Sequence, residues 1–196
     1  MARMRRHRHH LKALRDTALA HTREPHPDLA VLARELGRVV HRDGQALVDD
    51  MVRLHGSSRD FRRLLLSRRG QLTPVSVLLV VWPPDHVTPS HDHGGLWGLE
   101  MSLHGALEME SWTRSSEHSD WQLRGRDWLG PGDAMWFDAG TSTMHRCRNM
   151  SRHEVALSLH VYGGDLIDCN AYAPEAQGSH WHAMPQHLRI DGALPV

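Results

Sequence analysis

Residues 75–104 read VSVLLVVWPPDHVTPSHDHGGLWGLEMSLH. The run Val75 to Trp82 is apolar except for Ser76 and stops at Pro83-Pro84, as a short strand does. At the other end Trp97, Leu99, Met101 and Leu103 alternate with Gly98, Glu100, Ser102 and His104, the period of a two-faced strand. Between them stands His91-Asp92-His93. Two histidines at i and i+2 on a strand point to one face, about 6–7 Å apart along the backbone. Both rings can then reach one metal ion, and a third histidine from a distant strand would complete a face that leaves the opposite side of the ion open.

This pattern of short β-rich runs separated by Gly, Pro and Asp continues downstream. Strands are expected at 75–82, 87–93, 96–104, 106–113, 120–123, 134–138, 143–148 and 154–162. Their number and spacing predict a mainly β sandwich or barrel over about 73–165. Residues 163–196, rich in Gly, Pro and His, read as a wrapping tail. Upstream the pattern is helical. Leu11 to Ala20 is a weak amphipathic segment. Asp28 can cap a helix through Leu29, Leu32, Leu36, Val39 and Val40, which Asp43-Gly44 should interrupt. Ala46, Leu47, Met51, Val52 and Leu54 form a second stripe, ended by Gly56. Ser57-Ser58-Arg59-Asp60 resembles a capping box for a short helix through Leu66. The whole chain, 1–196, is expected to form one domain, a helical layer over about 1–70 packed on the barrel.

Composition narrows the function. The chain is 40% hydrophobic and carries 23 basic and 23 acidic residues, so no overall field attracts nucleic acid or a membrane surface. The local exception, MARMRRHRHH at 1–10, has four arginines and no acid and reads as a solvated, frayed terminus. No apolar run reaches the ~20 residues of a membrane span. Residues 1–20 lack a secretory apolar core. Cys147 and Cys169 form no CxxC, which fits reduced thiols and a cytoplasmic location.

Histidine is the outlier, 18 of 196 residues, so a single HxH decides little. A rival pair, His180 and His182, lies in the tail with His187 nearby. His91 and His93 are set apart by their strand context and by a second constellation downstream. His145 comes 52 residues after His93, in Met144-His145-Arg146-Cys147-Arg148-Asn149. Then Ser158, His160 and Tyr162 fall at i, i+2 and i+4 on one strand face, with Val155, Leu157, Leu159 and Val161 on the other. Polar groups facing into a barrel need partners, and a serine–histidine–tyrosine relay supplies them. Cys147 reads as a small buried residue.

The histidine pair, the interval to His145, and Ser158-Leu159-His160-Val161-Tyr162-Gly163 together resemble the thiol dioxygenases of the cysteine dioxygenase type, over roughly residues 60–165. The H-x3-N ending at Asn149 is similar to the second cupin motif, whereas the glutamate that the first cupin motif normally adds shortly after HxH has no match there. The nearest acid is Glu100, in phase with Gly98 and not favoured as a ligand. The resemblance implies a cupin double-stranded β-helix with N-terminal helices. It implies ferrous iron held by His91, His93 and His145, with Ser158, His160 and Tyr162 as a catalytic relay. Phe61-Arg62-Arg63-Leu64-Leu65 resembles the segment carrying the substrate-carboxylate arginine, with Arg63 at that position. In the mercaptopropionate enzymes that arginine comes instead from beyond the Tyr-Gly segment, and residues 163–172 contain none. Gly98 stands where eukaryotic members carry a cysteine crosslinked to the tyrosine, so that crosslink cannot form.

The reaction the resemblance implies is addition of both atoms of O2 to the sulfur of a small carboxylate-bearing thiol. Cysteine to cysteine sulfinic acid is the first expectation, with 3-mercaptopropionate or mercaptosuccinate as alternatives. A cupin enzyme using another metal and a non-catalytic metal-binding cupin are the competing classes. The expected partners are a small thiol and O2, with no nucleic acid and no membrane, in a monomer or weak homo-oligomer.

Overall fold

The computed structural model describes residues 2–55, 60–70, 72–114, 120–175 and 180–194. Among these residues two helices, α1 (Ala2–Ala20) and α2 (Leu29–His55), precede twelve strands. One six-stranded sheet has the order β12 (Gly192–Ala193), β1 (Arg62–Arg69), β2 (Val75–Trp82), β9 (Ala156–Tyr162), β4 (Gly98–His104) and β7 (Ala134–Phe137). The other has the order β11 (Trp181–His187), β10 (Asp168–Pro174), β3 (Ser90–His91), β8 (Thr143–Asn149), β5 (Leu107–Thr113) and β6 (Gln122–Leu129). This mainly β architecture with two N-terminal helices is the expected cupin fold.

Alternation along the central strands explains the layers. Val77, Leu79 and Val81 of β2, Leu157, Leu159 and Val161 of β9, and Leu99, Met101 and Leu103 of β4 pack in one cluster with Leu14, Leu32 and Leu36 of the helices. The alternate residues, Leu78, Val80, Trp82 and Tyr162, join a second cluster with Leu107, Met109 and Cys147 of the facing sheet. The first sheet is therefore covered on both faces, which is why β2 reads as a continuous apolar run. Asp28 caps α2 as expected, its carboxylate accepting from Val31 N at 2.9 Å.

Several expectations are corrected. Asp43-Gly44 does not break the helix, since α2 runs unbroken to His55. The side chains of the stripe at 46–54, and most of the capping box at 57–60, lie outside the described residues. The short helix through Leu66 is instead β1, paired antiparallel with β2 from Arg62↔Val81 to Arg69↔Val75. Sheet pairing of Leu64 and Leu65, with Leu66 at a bulge between Leu65 and Ser67, outweighs their helix propensity. The strand expected at 87–93 shrinks to Ser90–His91, with Val87 in an isolated bridge to Arg148 and Pro89, which has no donor, between them. The strand expected at 120–123 extends from Gln122 to Leu129. Residues 2–20 form a helix rather than a frayed end. The tail is also not irregular. β10 and β11 pair over seven positions, and β12 lies parallel to β1.

Asn149 ties these parts together. Wholly buried at the end of β8, it places Nδ2 2.9–3.1 Å from the carbonyls of Trp82, Pro83 and Glu154, and its Oδ1 accepts from Ser151 N. Replacing it by alanine strands several buried backbone groups. Asn149→Ala should cost about 2–4 kcal/mol in urea denaturation, and a loss below ~1 kcal/mol would contradict this role.

Candidate functional site

The site lies between the two sheets. His91 on β3 is the direct cross-strand partner of His145 on β8, which brings residues 54 positions apart into contact. His93 is not in a strand. It sits just beyond β3, and the chain turns sharply at Gly94 and Gly95, with φ of 58° and 78°. A Cβ on Gly94 would lie 2.6 Å from the Asp168 carbonyl oxygen, so glycine is required there. The intervening Asp92 points away and anchors the segment to β10. It accepts from Asn170 N and Nδ2, from Tyr172 Oη and from Gly94 N at 2.7–3.1 Å. Burial opposes its charge, but these bonds hold the carboxyl below the usual carboxylate range.

One donor atom from each of His91, His93 and His145 lies within 4.8 Å of the other two. His91 Nδ1 is engaged with Pro89 O at 2.9 Å, which leaves Nε2 free to coordinate. His93 Nε2 is buried without a hydrogen-bond partner, as a metal-ligating nitrogen would be. Its ring is stacked on Phe137, with centroids 3.6 Å apart. Burial, with help from neighbouring His145, lowers His91 to about 4. Burial likewise lowers His145 to about 4, against the pull of Glu100. Burial also lowers His93. Three neutral imidazoles converging on one point suit a divalent transition metal.

The relay residues lie on the facing sheet. Trp82 Nε1 donates to Ser158 Oγ at 2.7 Å, Ser158 Oγ is 2.7 Å from His160 Nε2, and His160 Nδ1 is 2.7 Å from Tyr162 Oη. Tyr162 Oη then donates to Glu100 Oε1 at 2.7 Å. Indole can only donate and a carboxylate can only accept. The protons therefore run one way, Ser158 to His160 Nε2, His160 Nδ1–H to Tyr162, and Tyr162 to Glu100. Burial, reinforced by Glu100, pushes the Tyr162 phenol well above its usual value, so it stays protonated.

Sequence reading missed Trp82 as a participant, and it weighed Glu100 only as a disfavoured metal ligand, not as the end of the hydrogen-bond chain. Glu100 is buried and pairs across strands with His160. Its phase with Gly98 and Tyr162 was the available signal. Gly98 itself is explained by packing. A Cβ there would meet Phe137 Cζ at 2.3 Å and Tyr162 Cδ1 at 2.7 Å. The glycine lets both rings close over the site. Cys147 is buried, and burial raises its thiol well above normal, so it is unreactive.

A cavity of about 260 Å³ opens on this centre. His91, His145, His160, Tyr162 and Glu100 form its polar end, and Phe61, Val80, Trp82, Leu166 and Leu188 its apolar walls. Arg63 lines it from β1 and is 6% exposed. Its guanidinium donates to Leu166 O at 2.9 Å and to Arg189 O at 3.4 Å. Among the described residues it has no carboxylate partner. The rival histidines do not assemble. His180 pairs with Asp120 and His187 with Asp168, and His182 is exposed on β11. No helix among the described residues is long and apolar enough to cross a membrane.

Comparison with solved structures gives distant likenesses of fold. An oxalate oxidase matches over 46% of this chain at 20% identity with a TM-score of 0.39. This chain spans less than half of that protein's length, 42%. TT1209 from Thermus thermophilus matches over 53% of this chain and 84% of its own, at 20% identity and TM-score 0.39. The cupin domain of Schizosaccharomyces pombe Cnp3 matches over 55% and 66%, at 10% identity and TM-score 0.42. The sequence model for cysteine dioxygenase type I matches residues 62–175, more than half of the chain, a span that holds the histidine cluster, the relay and Arg63. The chain belongs to the cysteine dioxygenase type I family.

Proposed function

We propose that this protein is a non-haem iron(II) thiol dioxygenase acting on a small thiol that bears a carboxylate, with conversion of cysteine to cysteine sulfinic acid as the leading reaction. The observation that carries this reading is one cavity lined by two imidazoles of the histidine cluster, the Tyr162 phenol and the buried Arg63, whose guanidinium has no carboxylate partner among the described residues. The overall reaction balances as RSH plus O2 to RSO2H. Sulfur loses four electrons, dioxygen gains four, and no external reductant is consumed.

His91, His93 and His145 would hold the iron, which when bound supplies affinity for thiolate sulfur and redox access to dioxygen. Arg63 would seat the substrate carboxylate. A buried cation without an anionic partner is costly, and a bidentate carboxylate satisfies it while fixing orientation. The apolar walls exclude water from the carbon chain. Trp82, Ser158 and His160 hold the phenol of Tyr162 beside the cavity with its O–H on Glu100, and that O–H would turn from Glu100 to the oxygens as they reach sulfur.

A second reading, 3-mercaptopropionate or mercaptosuccinate as substrate, is favoured by the charge of the lining. Its one carboxylate, Glu100, is already engaged by Tyr162 and faces the histidines, so no side chain is set to pair with an α-ammonium. Oxygen uptake by anaerobically iron-loaded protein against cysteine, 3-mercaptopropionate, mercaptosuccinate and cysteamine separates these readings. Cysteamine, lacking the carboxylate, should be the poorest. No uptake with any thiol would overturn the proposal. Arg63→Ala should raise KM by roughly 10–100-fold, the worth of one charge-assisted contact, and unchanged saturation would remove Arg63 from the substrate site. Tyr162→Phe should lower kcat about tenfold or more with iron retained; loss of iron would count against its assigned role.

The depressed histidines also set a pH dependence. Between about pH 6.5 and 4 the unfolded chain takes up protons at His91 and His145 that the folded chain does not. Stability of the metal-free protein must then fall as pH falls, by up to about 1.4 kcal/mol per pH unit for each group. Urea titrations across this range should show the decline, and a shallower one in His145→Gln. Equal slopes would contradict the burial of a neutral His145.

A further inference from the structure

Glu100 has no role in the three-histidine picture, yet among the described residues it is the most buried of the acidic and basic side chains apart from histidine. It is 3% exposed. Its Oε2 is 3.6 Å from His145 Nε2, and its Oε1 is 3.7 Å from His93 Nε2 and 3.2 Å from His160 Nδ1. The distances to His145 and His93 are too long for hydrogen bonds, and His93 Nε2 has no hydrogen-bond partner. Direct bonding therefore does not account for a carboxylate facing these two imidazole nitrogens across such gaps. Metal bonds of about 2.0–2.2 Å give ligand-to-ligand edges of roughly 3.0–3.6 Å, which the 3.6 Å between Oε2 and His145 Nε2 matches, while the 3.7 Å approach to His93 Nε2 is made by the other oxygen, Oε1.

Charge points the same way. Among the described residues, the ion-pair partners of Glu100 are histidines only. A buried carboxylate without a lysine or arginine contact needs a counter-charge. The hydrogen-bond chain from Trp82 ends on Oε1 through Tyr162, which fixes the carboxylate's rotation and leaves Oε2 turned toward His145.

We propose that Glu100 is a fourth ligand of the metal, through Oε2, so that the centre is three imidazoles and one carboxylate. A ferrous ion would then keep a net charge of +1 rather than +2. On a six-coordinate ion, two positions rather than three would stay open. Tyr162, His160, Ser158 and Trp82 become the groups that orient a ligand. The proposal concerns ligation alone and holds whichever thiol, or other substrate, the protein accepts.

The test is read on metal, not on turnover. The full chain is crystallised after anaerobic loading with Fe(II) or Zn(II), and a Glu100 oxygen is expected at about 2.0–2.3 Å from the ion. In solution, Glu100→Gln should bind Co(II) at least about tenfold more weakly by competition with a chelator, and the Co(II) d–d bands should shift. A Glu100 carboxylate more than ~3 Å from the ion overturns the proposal. Weaker binding with unchanged bands also overturns it, since that assigns Glu100 to hydrogen bonding alone. If the variant does not fold, the loaded wild-type structure decides by itself. Oxygen uptake with thiols is measured separately, so failure of the dioxygenase reading leaves this result intact.

Discussion

Polar groups enclosed between two sheets have no water to turn to, and everything about this site follows from how they satisfy one another. Two registers do the work. β3 and β8 set His91 opposite His145, while β4 and β9 set Glu100 opposite His160 and Gly98 opposite Tyr162. A slip of one residue between β4 and β9 would turn the polar row toward the helices and the leucines toward the histidine cluster. That register is protected because both alternating sets are buried, one under α1 and α2 and the other between the sheets. Stability and site geometry are therefore one constraint. The chain cannot keep its core and lose the alignment of its imidazoles.

Within that enclosure the direction of each hydrogen bond is decided at the ends. Trp82 can only give a proton and Glu100 can only receive one, so the serine, histidine and tyrosine between them have no choice of orientation. This is a more specified arrangement than three polar residues sharing a strand face. It places the tyrosine proton on a protein carboxylate rather than free in the cavity. Gly98 contributes by having no side chain. Phe137 and Tyr162 occupy the space where a Cβ would be, and Phe137 in turn stacks on His93.

Much of this was legible in the chain itself. Period-two alternation gave the faces of β4 and β9, and hence which of their residues look inward. The HxH spacing paired His91 with His93, and the resemblance to the thiol dioxygenases added His145. What escaped was non-local. Glu100 was in phase with Gly98, but cross-strand pairing is what sets it beside His160, and the packing of one sheet on the other brings it near His93 and His145. The segment around Arg63 carried helix-like local signals that seven pairings with β2 overruled. The histidine- and glycine-rich tail has no clear alternation, because β11 is largely solvent-exposed and its partner β10 is only half-buried. Its strands exist through pairing with β3 and β1 rather than through any pattern of their own.

Those late strands have a consequence for the life of the protein on the ribosome. The loop bearing His91 and His93 is moored through Asp92 to Asn170 and Tyr172. The strand bearing Arg63 is bonded through its backbone to Asp191 and Leu194. A nascent chain that has emerged only as far as His145 owns every histidine of the cluster and still lacks the frame that positions them. Metal capture by this cluster would therefore await synthesis of residues 168–194, which supply that frame. A chain stalled midway would expose loose histidines but no selective centre.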